Sequence, residues 1–134
     1  LREHMTQHAE HNTQKRTKGL SVVLAEDEAI SATAMRMELE SLGYSVAAVA
    51  AKGRDAVEKI KSAAPDLIVL DVRLADDMSG VEVAQAVRAF TSSPIVFVTG
   101  YDLSLVPLIA TIERSTILQK PVNARAVHDA AGAL

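Results

Sequence analysis

Five short aliphatic runs recur along the chain, separated by longer segments. The runs are rich in Val, Ile, Leu and Ala and comprise Ser21–Ala25, Ser45–Ala50, Leu67–Leu70, Ile95–Val98 and Thr116–Gln119. Continuous aliphatic runs are typical of parallel strands that are buried on both faces of a sheet. The pattern therefore predicts five buried strands.

The segments between these runs predict helices. Four of them have the length, composition or apolar spacing of a helix: Ala29–Leu42, Asp55–Ala64, Val81–Phe90 and a last helix that begins near Val122. Gly43 and Pro65 follow the first two segments, where such residues end helices. Val83, Ala84, Val87 and Phe90 are expected on one face of the third.

The segment Gly100–Ser115 has the weakest pattern. Its composition is helical near Leu108–Glu113, but Pro107 precedes that stretch. Proline is tolerated in a first helical turn and costs about 3 kcal/mol further in. We therefore expect a short or mobile helix that starts near Val106.

Strands that alternate with helices predict an α/β fold with right-handed crossovers and a parallel sheet covered on both faces. Five such strands favour the doubly wound order 2-1-3-4-5. In that order the topological switch point lies between strands 1 and 3, and ligands bind outside the carboxyl ends of the strands.

Polar residues follow four of the five runs. Glu26-Asp27 follows the first run, Asp71 the third, Thr99 the fourth and Lys120 the fifth. In a parallel sheet all four endings fall on one edge. That edge would carry three carboxylates, a hydroxyl and an ammonium, a combination suited to a divalent metal and a phosphoryl group.

Carboxylates gathered this closely disfavour one another's charged forms unless a cation lies between them. Mg²⁺, or Mn²⁺, prefers such oxygen ligands. Asp27 and Asp71 would bind it directly, and Glu26 directly or through water. Asp71 is also the candidate nucleophile, since aspartate can form an acyl phosphate. Lys120 and Thr99 would contact phosphoryl oxygens.

Each of these residues alone has an ordinary structural interpretation. An Asp after a strand often caps a helix, and an acidic pair favours a helix N-terminus. Thr99 before Gly100 suits a turn, and Lys-Pro is common in loops. The functional interpretation depends on all of them occurring at successive strand ends, in this order.

Composition narrows the class of protein further. Hydrophobic residues make up 49% of the chain and aromatic residues 3%, so the core must be aliphatic. The net charge of −3 gives no indication of nucleic-acid binding. The absence of cysteine excludes disulfides and thiol catalysis. No apolar run is long enough to cross a membrane, so we expect a cytoplasmic protein.

Residues 1–19 differ from the rest and predict a disordered N-terminal arm. We expect Met5 to be the native start, with Leu1–His4 added before it. His4, His8 and His11 have a spacing that would let a helix bring them together as metal ligands, but a solvated tail is the preferred interpretation. Residues 20–134 are expected to form one domain.

The strand ends resemble a known family, the receiver domain of two-component response regulators. The matching stretches are VVLAEDE (22–28), DLIVLDVRL (66–74), IVFVTG (95–100) and LQKPV (118–122). The resemblance extends over residues 20–134 and implies a CheY-like, flavodoxin-like three-layer sandwich. It also implies a signalling switch, not a metabolic enzyme.

Position by position, the resemblance assigns roles that agree with the chemistry above. It implies phosphorylation and metal binding at Asp71, metal binding at Glu26 and Asp27, and phosphate contacts from Thr99 and Lys120. It adds the backbone carbonyl of Arg73 as a metal ligand. The phosphoryl donor would be the phosphohistidine of a histidine kinase or phosphotransfer protein, and the downstream target stays open.

The chain departs from the family's common pattern in three places. The loop after Asp71 has Ala75 in place of a frequent proline, with an apparent extra residue before Gly80. Ile117 occupies a position where many members carry Tyr or Phe as part of the switch. The divergent segment Gly100–Ser115 belongs to the face through which many receivers form a homodimer, so that partner stays open.

Three other interpretations remain. A haloacid-dehalogenase-type phosphatase normally has a second Asp two residues after the nucleophile, but here that residue is Arg73. A receiver-like docking module would need no phosphorylation. A flavodoxin-like flavin binder would need a Ser/Thr/Gly-rich phosphate loop and aromatic residues around the flavin, which this chain lacks.

Overall fold

A computed structural model describes residues 18–100 and 103–134. Of the expected N-terminal arm, the structure describes only Lys18 and Gly19. The predictions for the rest of the arm, including its three histidines, lie outside the described residues. The strands are β1 (Ser21–Ala25), β2 (Ser45–Ala50), β3 (Leu67–Asp71), β4 (Ile95–Thr99) and β5 (Ser115–Gln119). The helices are α1 (Ala29–Ser41), α2 (Gly53–Ala63), α3 (Gly80–Val87), α4 (Val106–Ile109) and α5 (Ala124–Gly132).

The five strands form one parallel sheet in the order β2-β1-β3-β4-β5, which confirms the predicted topology. In β3, Leu70 pairs with Ala25 of β1 and with Phe97 of β4. The switch point therefore lies between β1 and β3, because α1, which follows β1, packs on one face of the sheet and α3, which follows β3, packs on the other.

Successive residues of each central strand point to opposite faces of the sheet and so belong to two separate cores. Val23, Ile68 and Phe97 face the core that includes residues of α2, α3 and α4. Their neighbours Val22 and Val69 face the core that includes residues of α1 and α5. Both faces of the sheet are thus covered, which explains why its strands are continuous aliphatic runs.

Helix ends differ from the predicted ones where side chains interact with distant backbone groups. The third helix ends at Val87, not Phe90, and Phe90 is 43% exposed, so its predicted place on the apolar stripe was wrong. After Val87 the Phe90 amide donates a hydrogen bond to the Val87 carbonyl, three residues back, in a tighter turn than that of an α-helix. The Arg88 guanidinium there donates hydrogen bonds to the carbonyls of Thr91 and Glu113. The spacing of apolar residues along the sequence gives no information about such long-range contacts.

The helix after β4 is short, as predicted. It spans Val106–Ile109, and Pro107 lies in its first turn, where no backbone donor is lost. Ile109 is its buried residue, and Leu108 is 46% exposed. Among the described residues, no helix is long and apolar enough to cross a membrane.

The chain after β3 returns close to the strand it leaves. The Gly80 amide donates a hydrogen bond to the Val72 carbonyl (2.8 Å), and a Cβ at position 80 would overlap the Asp71 carbonyl oxygen. Ser79 and Glu82 form a reciprocal capping box that starts α3 there. Gly80 is therefore required by close backbone approach at the end of β3.

Gly80→Ala should lower the free energy of unfolding by about 1–3 kcal/mol, because the new methyl group forces backbone apart in a packed region. Gly132→Ala is the matched control, since Gly132 lies in α5 with open space at its Cβ position. It should leave stability unchanged or raise it by up to about 1 kcal/mol. Urea denaturation followed by circular dichroism measures both; equal stabilities would contradict the packing explanation.

Candidate functional site

The carboxyl ends of β1, β3, β4 and β5 open into one cleft. It has a volume of about 610 Å³ and is lined by Asp27, Glu28, Asp71, Arg73, Thr99, Gly100 and Lys120. This lining includes all but one of the predicted site residues. Glu26, the remaining one, lies beside it and lines an adjoining cavity with Asp71 and Lys120. Sheet topology alone accounts for this grouping, because parallel strands end on the same side.

Three carboxylates lie together at the switch point. Glu26 follows β1 directly and is 8% exposed, and Asp71 is the last residue of β3 and is 7% exposed. Asp27 is exposed to solvent. One oxygen from each of the three lies within 4.8 Å of the others, an all-oxygen donor set of the kind that Mg²⁺ prefers.

Lys120 links the two buried carboxylates. Its Nζ lies 2.7 Å from Asp71 Oδ2 and 3.1 Å from Glu26 Oε1. The residue is positioned by its backbone, since the Lys120 amide donates a hydrogen bond to the Thr99 carbonyl at 2.7 Å, just beyond the end of β5. The following Lys120–Pro121 peptide bond is cis.

The pKa values of Glu26 and Lys120 are both raised, but for different reasons. Burial, together with the neighbouring Asp71 carboxyl, raises the pKa of Glu26 from 4.5 to about 7, although hydrogen bonds from the Glu28 amide and from Lys120 oppose the shift. Burial alone would lower the pKa of Lys120, but its hydrogen bonds and charge interactions with Asp71 and Glu26 raise it above its usual value. The ammonium thus remains charged between two carboxyl groups.

Thr99 and Arg73 both line the cleft. Thr99 is the last residue of β4 and is 3% exposed. The Arg73 amide donates a hydrogen bond to Asp71 Oδ1 at 3.1 Å, so the Arg73 backbone lies against the Asp71 carboxylate, and its side chain is exposed. Asp71 and Thr99 belong to the strands themselves, one residue further than the aliphatic runs indicate.

Two features of the site were not predicted. The Glu28 amide donates a hydrogen bond to Glu26 Oε2 (3.2 Å) and orients it; the acidic run in the sequence was the available signal. The adjoining cavity of about 460 Å³ extends between α1 and the chain after β5, with Met35 and Val122 in its lining. The sequence shows only that these residues are apolar, not that they leave space between them.

With this geometry established, comparison with known proteins identifies the class. Residues 22–132 match the family model of the response regulator receiver domain. The chain belongs to this family. Receiver domains are signalling domains that interact with histidine kinases or phosphotransfer proteins.

Relatives and solved structures agree with that assignment. The chain is 42% identical over 79 residues to the regulatory protein LuxO of Vibrio vulnificus, covering 58% of the chain but 17% of LuxO. It superposes on the signal receiver domain of a modulated diguanylate cyclase from Desulfovibrio desulfuricans G20, with a TM-score of 0.77, 30% identity and coverage of 87% and 93% of the two chains. A response regulator receiver protein from Sinorhizobium medicae WSM419 gives a TM-score of 0.76, 31% identity and coverage of 86% and 93%.

The raised pKa of Glu26 has a measurable effect on metal-free protein. Because folding favours protonated Glu26, its stabilising effect is complete below about pH 4.5 and is lost as pH rises through about 7. In EDTA, the unsubstituted chain should therefore lose stability relative to Glu26→Gln as pH increases from 5 to about 8.

Urea denaturation at several pH values measures this difference. Glu58→Gln, which removes an exposed glutamate of α2, is the matched control for the loss of one charge. If the stability difference between the unsubstituted chain and Glu26→Gln is the same at every pH, the burial effect at Glu26 is absent.

Proposed function

We propose that this receiver domain is a phosphoacceptor that takes a phosphoryl group from a phosphohistidine onto Asp71 in a Mg²⁺-dependent reaction. The observation that carries the proposal is the position of Asp71, whose buried carboxylate opens into the cleft within 4.8 Å of two further carboxylates and 2.7 Å from an ammonium. Such a set of charges supplies both a nucleophile and the groups that stabilise the charge of a phosphoryl group.

The reaction is a transfer between two nucleophiles. A carboxylate oxygen of Asp71 forms a bond to phosphorus while the bond from phosphorus to the donor imidazole nitrogen breaks. The imidazole leaves with the bonding electron pair and takes a proton from solvent. Hydrolysis later returns the carboxylate, as water attacks phosphorus and inorganic phosphate leaves.

Glu26, Asp27 and Asp71 are the residues that would hold the metal, together with the Arg73 backbone carbonyl. The fit rests on their close oxygen atoms. Burial and, after it, the neighbouring Asp71 carboxyl raise the pKa of Glu26, and a bound cation would favour its charged form. When bound, Mg²⁺ (or Mn²⁺) neutralises negative charge on the phosphoryl oxygens. Asp27 is exposed, so its carboxylate remains accessible from solvent.

Lys120 and Thr99 would contact the phosphoryl oxygens. Before phosphorylation the Lys120 ammonium pairs with Asp71 and Glu26, and after it the same ammonium would pair with a phosphoryl oxygen. The Thr99 hydroxyl lies at the end of the adjacent strand β4 and would donate to another oxygen.

A change in these contacts would be the signal that a downstream partner detects. Ile117 pairs with Phe97 across β4 and β5 and packs, partly buried, against the core on the side of α2, α3 and α4. An aromatic ring at this position would provide a bulky switch, but isoleucine would not. We therefore place the switch in a shift of Thr99 and Lys120.

Asp71→Asn should abolish phosphorylation, because an amide oxygen is a poor nucleophile. Intact-protein mass after incubation with acetyl phosphate and Mg²⁺ measures the result. The unsubstituted chain should gain one phosphoryl group, and it should gain none when EDTA replaces the metal.

Asp55→Asn is the matched control, since Asp55 lies on α2 in a partly exposed pair with Lys59 and should leave labelling intact. Labelling of Asp71→Asn to the extent of the control would exclude Asp71 as the acceptor. Absence of labelling in the unsubstituted chain, under every condition, would favour a docking module that works without phosphorylation.

Lys120→Ala should separate metal binding from phosphoryl transfer. Removing a cation beside the carboxylates should leave Mg²⁺ affinity equal or tighter, whereas the rate of labelling by acetyl phosphate should fall by about 10-fold or more. Isothermal titration calorimetry and intact mass measure the two effects. Lys61→Ala on α2 is the control; loss of Mg²⁺ binding in Lys120→Ala alone would contradict the assigned role.

A further inference from the structure

The loop of residues 72–79, which we call the acceptor loop, is joined to the N-terminus of α2. The Ala75 amide donates a hydrogen bond to the Ala51 carbonyl at 2.9 Å. Asp76 Oδ1 accepts a hydrogen bond from the Gly53 amide at 2.7 Å, and Asp76 Oδ2 accepts one from the Arg54 amide at 3.2 Å. This loop is one of the three places in which the sequence departs from the family's common pattern.

Asp76 acts as the N-terminal cap of a helix to which it does not belong. The residue that precedes α2 is Lys52, whose side chain makes no capping hydrogen bond. The first amides of a helix have no partners within it, and a carboxylate at this end also interacts favourably with the helix dipole. The hydrogen bond from Gly53 is the main cause that holds the pKa of Asp76 below its ordinary value.

Gly53 allows this approach. A Cβ at position 53 would lie 2.7 Å from the Met78 carbonyl oxygen and 2.8 Å from the Met78 Cβ. The acceptor loop therefore packs directly against the backbone of the first turn of α2. The nearby ion pair between Arg54 and Asp77 is weaker than these contacts. The charged atoms are 3.4 Å apart and both side chains are largely exposed, so the pair adds little to stability.

We propose that Asp76 is a positioning residue for the phosphoryl site: by capping α2 it fixes the acceptor loop and, through it, the Arg73 backbone beside Asp71. The proposal rests on the function proposed above. Arg73 is three residues before Asp76, and its amide already donates to Asp71 Oδ1 at 3.1 Å.

The hydrogen bond from the Gly80 amide to the Val72 carbonyl joins the two ends of the acceptor loop. Between Arg73 and Met78, the contacts of Ala75 and Asp76 with the start of α2 connect the loop to a rigid element. Loss of the Asp76 contacts should let the Arg73 backbone move relative to Asp71. Mg²⁺ affinity and the lifetime of the acyl phosphate should then change, although Asp76 lines neither the cleft nor the adjoining cavity.

The test compares Asp76→Ala and Asp76→Asn with Asp77→Ala. The last variant removes the same charge from the adjacent position without touching α2's amides. Amide hydrogen exchange of Gly53 and Arg54 in metal-free protein reports the cap itself. Isothermal titration calorimetry reports Mg²⁺ affinity, and intact mass followed over time reports the acyl-phosphate lifetime.

We expect faster exchange at both amides in Asp76→Ala and up to about 10-fold weaker Mg²⁺ binding, the lower end of the losses found for residues that orient metal ligands. The acyl-phosphate lifetime should change in the same variant. Asp76→Asn keeps one acceptor oxygen and should be intermediate, and it carries the comparison if Asp76→Ala does not fold. Asp77→Ala should match the unsubstituted chain.

Two results would overturn the proposal. One is unchanged exchange at Gly53 and Arg54 in Asp76→Ala. The other is faster exchange accompanied by the Mg²⁺ affinity and acyl-phosphate lifetime of Asp77→Ala, which would make Asp76 a cap of α2 only. Failure of the proposed function would appear differently, as absence of labelling in the unsubstituted chain.

Discussion

The two buried carboxylates at the switch point restrict everything around them. Glu26 and Asp71 end adjacent strands, and both are nearly inaccessible to solvent. Like charges this close disfavour one another, and Lys120 supplies only one positive charge between the two carboxyl groups. The protein therefore has a surplus of negative charge at this point, and either a proton on Glu26 or an added metal ion relieves it. Burial of these carboxyl groups therefore opposes the stability of the metal-free fold while it keeps them together at the cleft.

The fold could be predicted because aliphatic runs and helix-ending residues can be recognised within short stretches of sequence. The alternation of strands with helices then follows from their order along the chain. Ser21–Ala25 and Ser45–Ala50 were predicted with their observed bounds, and the order of the strands followed from general connection rules. Grouping of the polar strand ends followed from the same topology. These predictions needed no knowledge of any side-chain contact.

What could not be predicted depends on contacts between distant parts of the chain. The second helix begins two residues earlier than Asp55 because a carboxylate from another loop caps it. At the end of the third helix, Arg88 binds the Glu113 carbonyl, 25 residues away. The cavity beside the site depends on how α1 packs near the chain after β5. In each case the deciding partner lies far along the sequence, where periodicity gives no signal.

The division of the core into two layers has a consequence for how accurately the site is assembled. Neighbouring residues of β3 belong to opposite cores, with Ile68 and Leu70 on one side and Leu67 and Val69 on the other. Sliding this strand by one position against β1 would exchange the two sets and misfit every side chain on both faces. The same slip would move Asp71 away from Glu26. Correct packing of the interior therefore also aligns the acidic residues: a chain in which both cores fit has Asp71 beside Glu26, with no separate mechanism to place it.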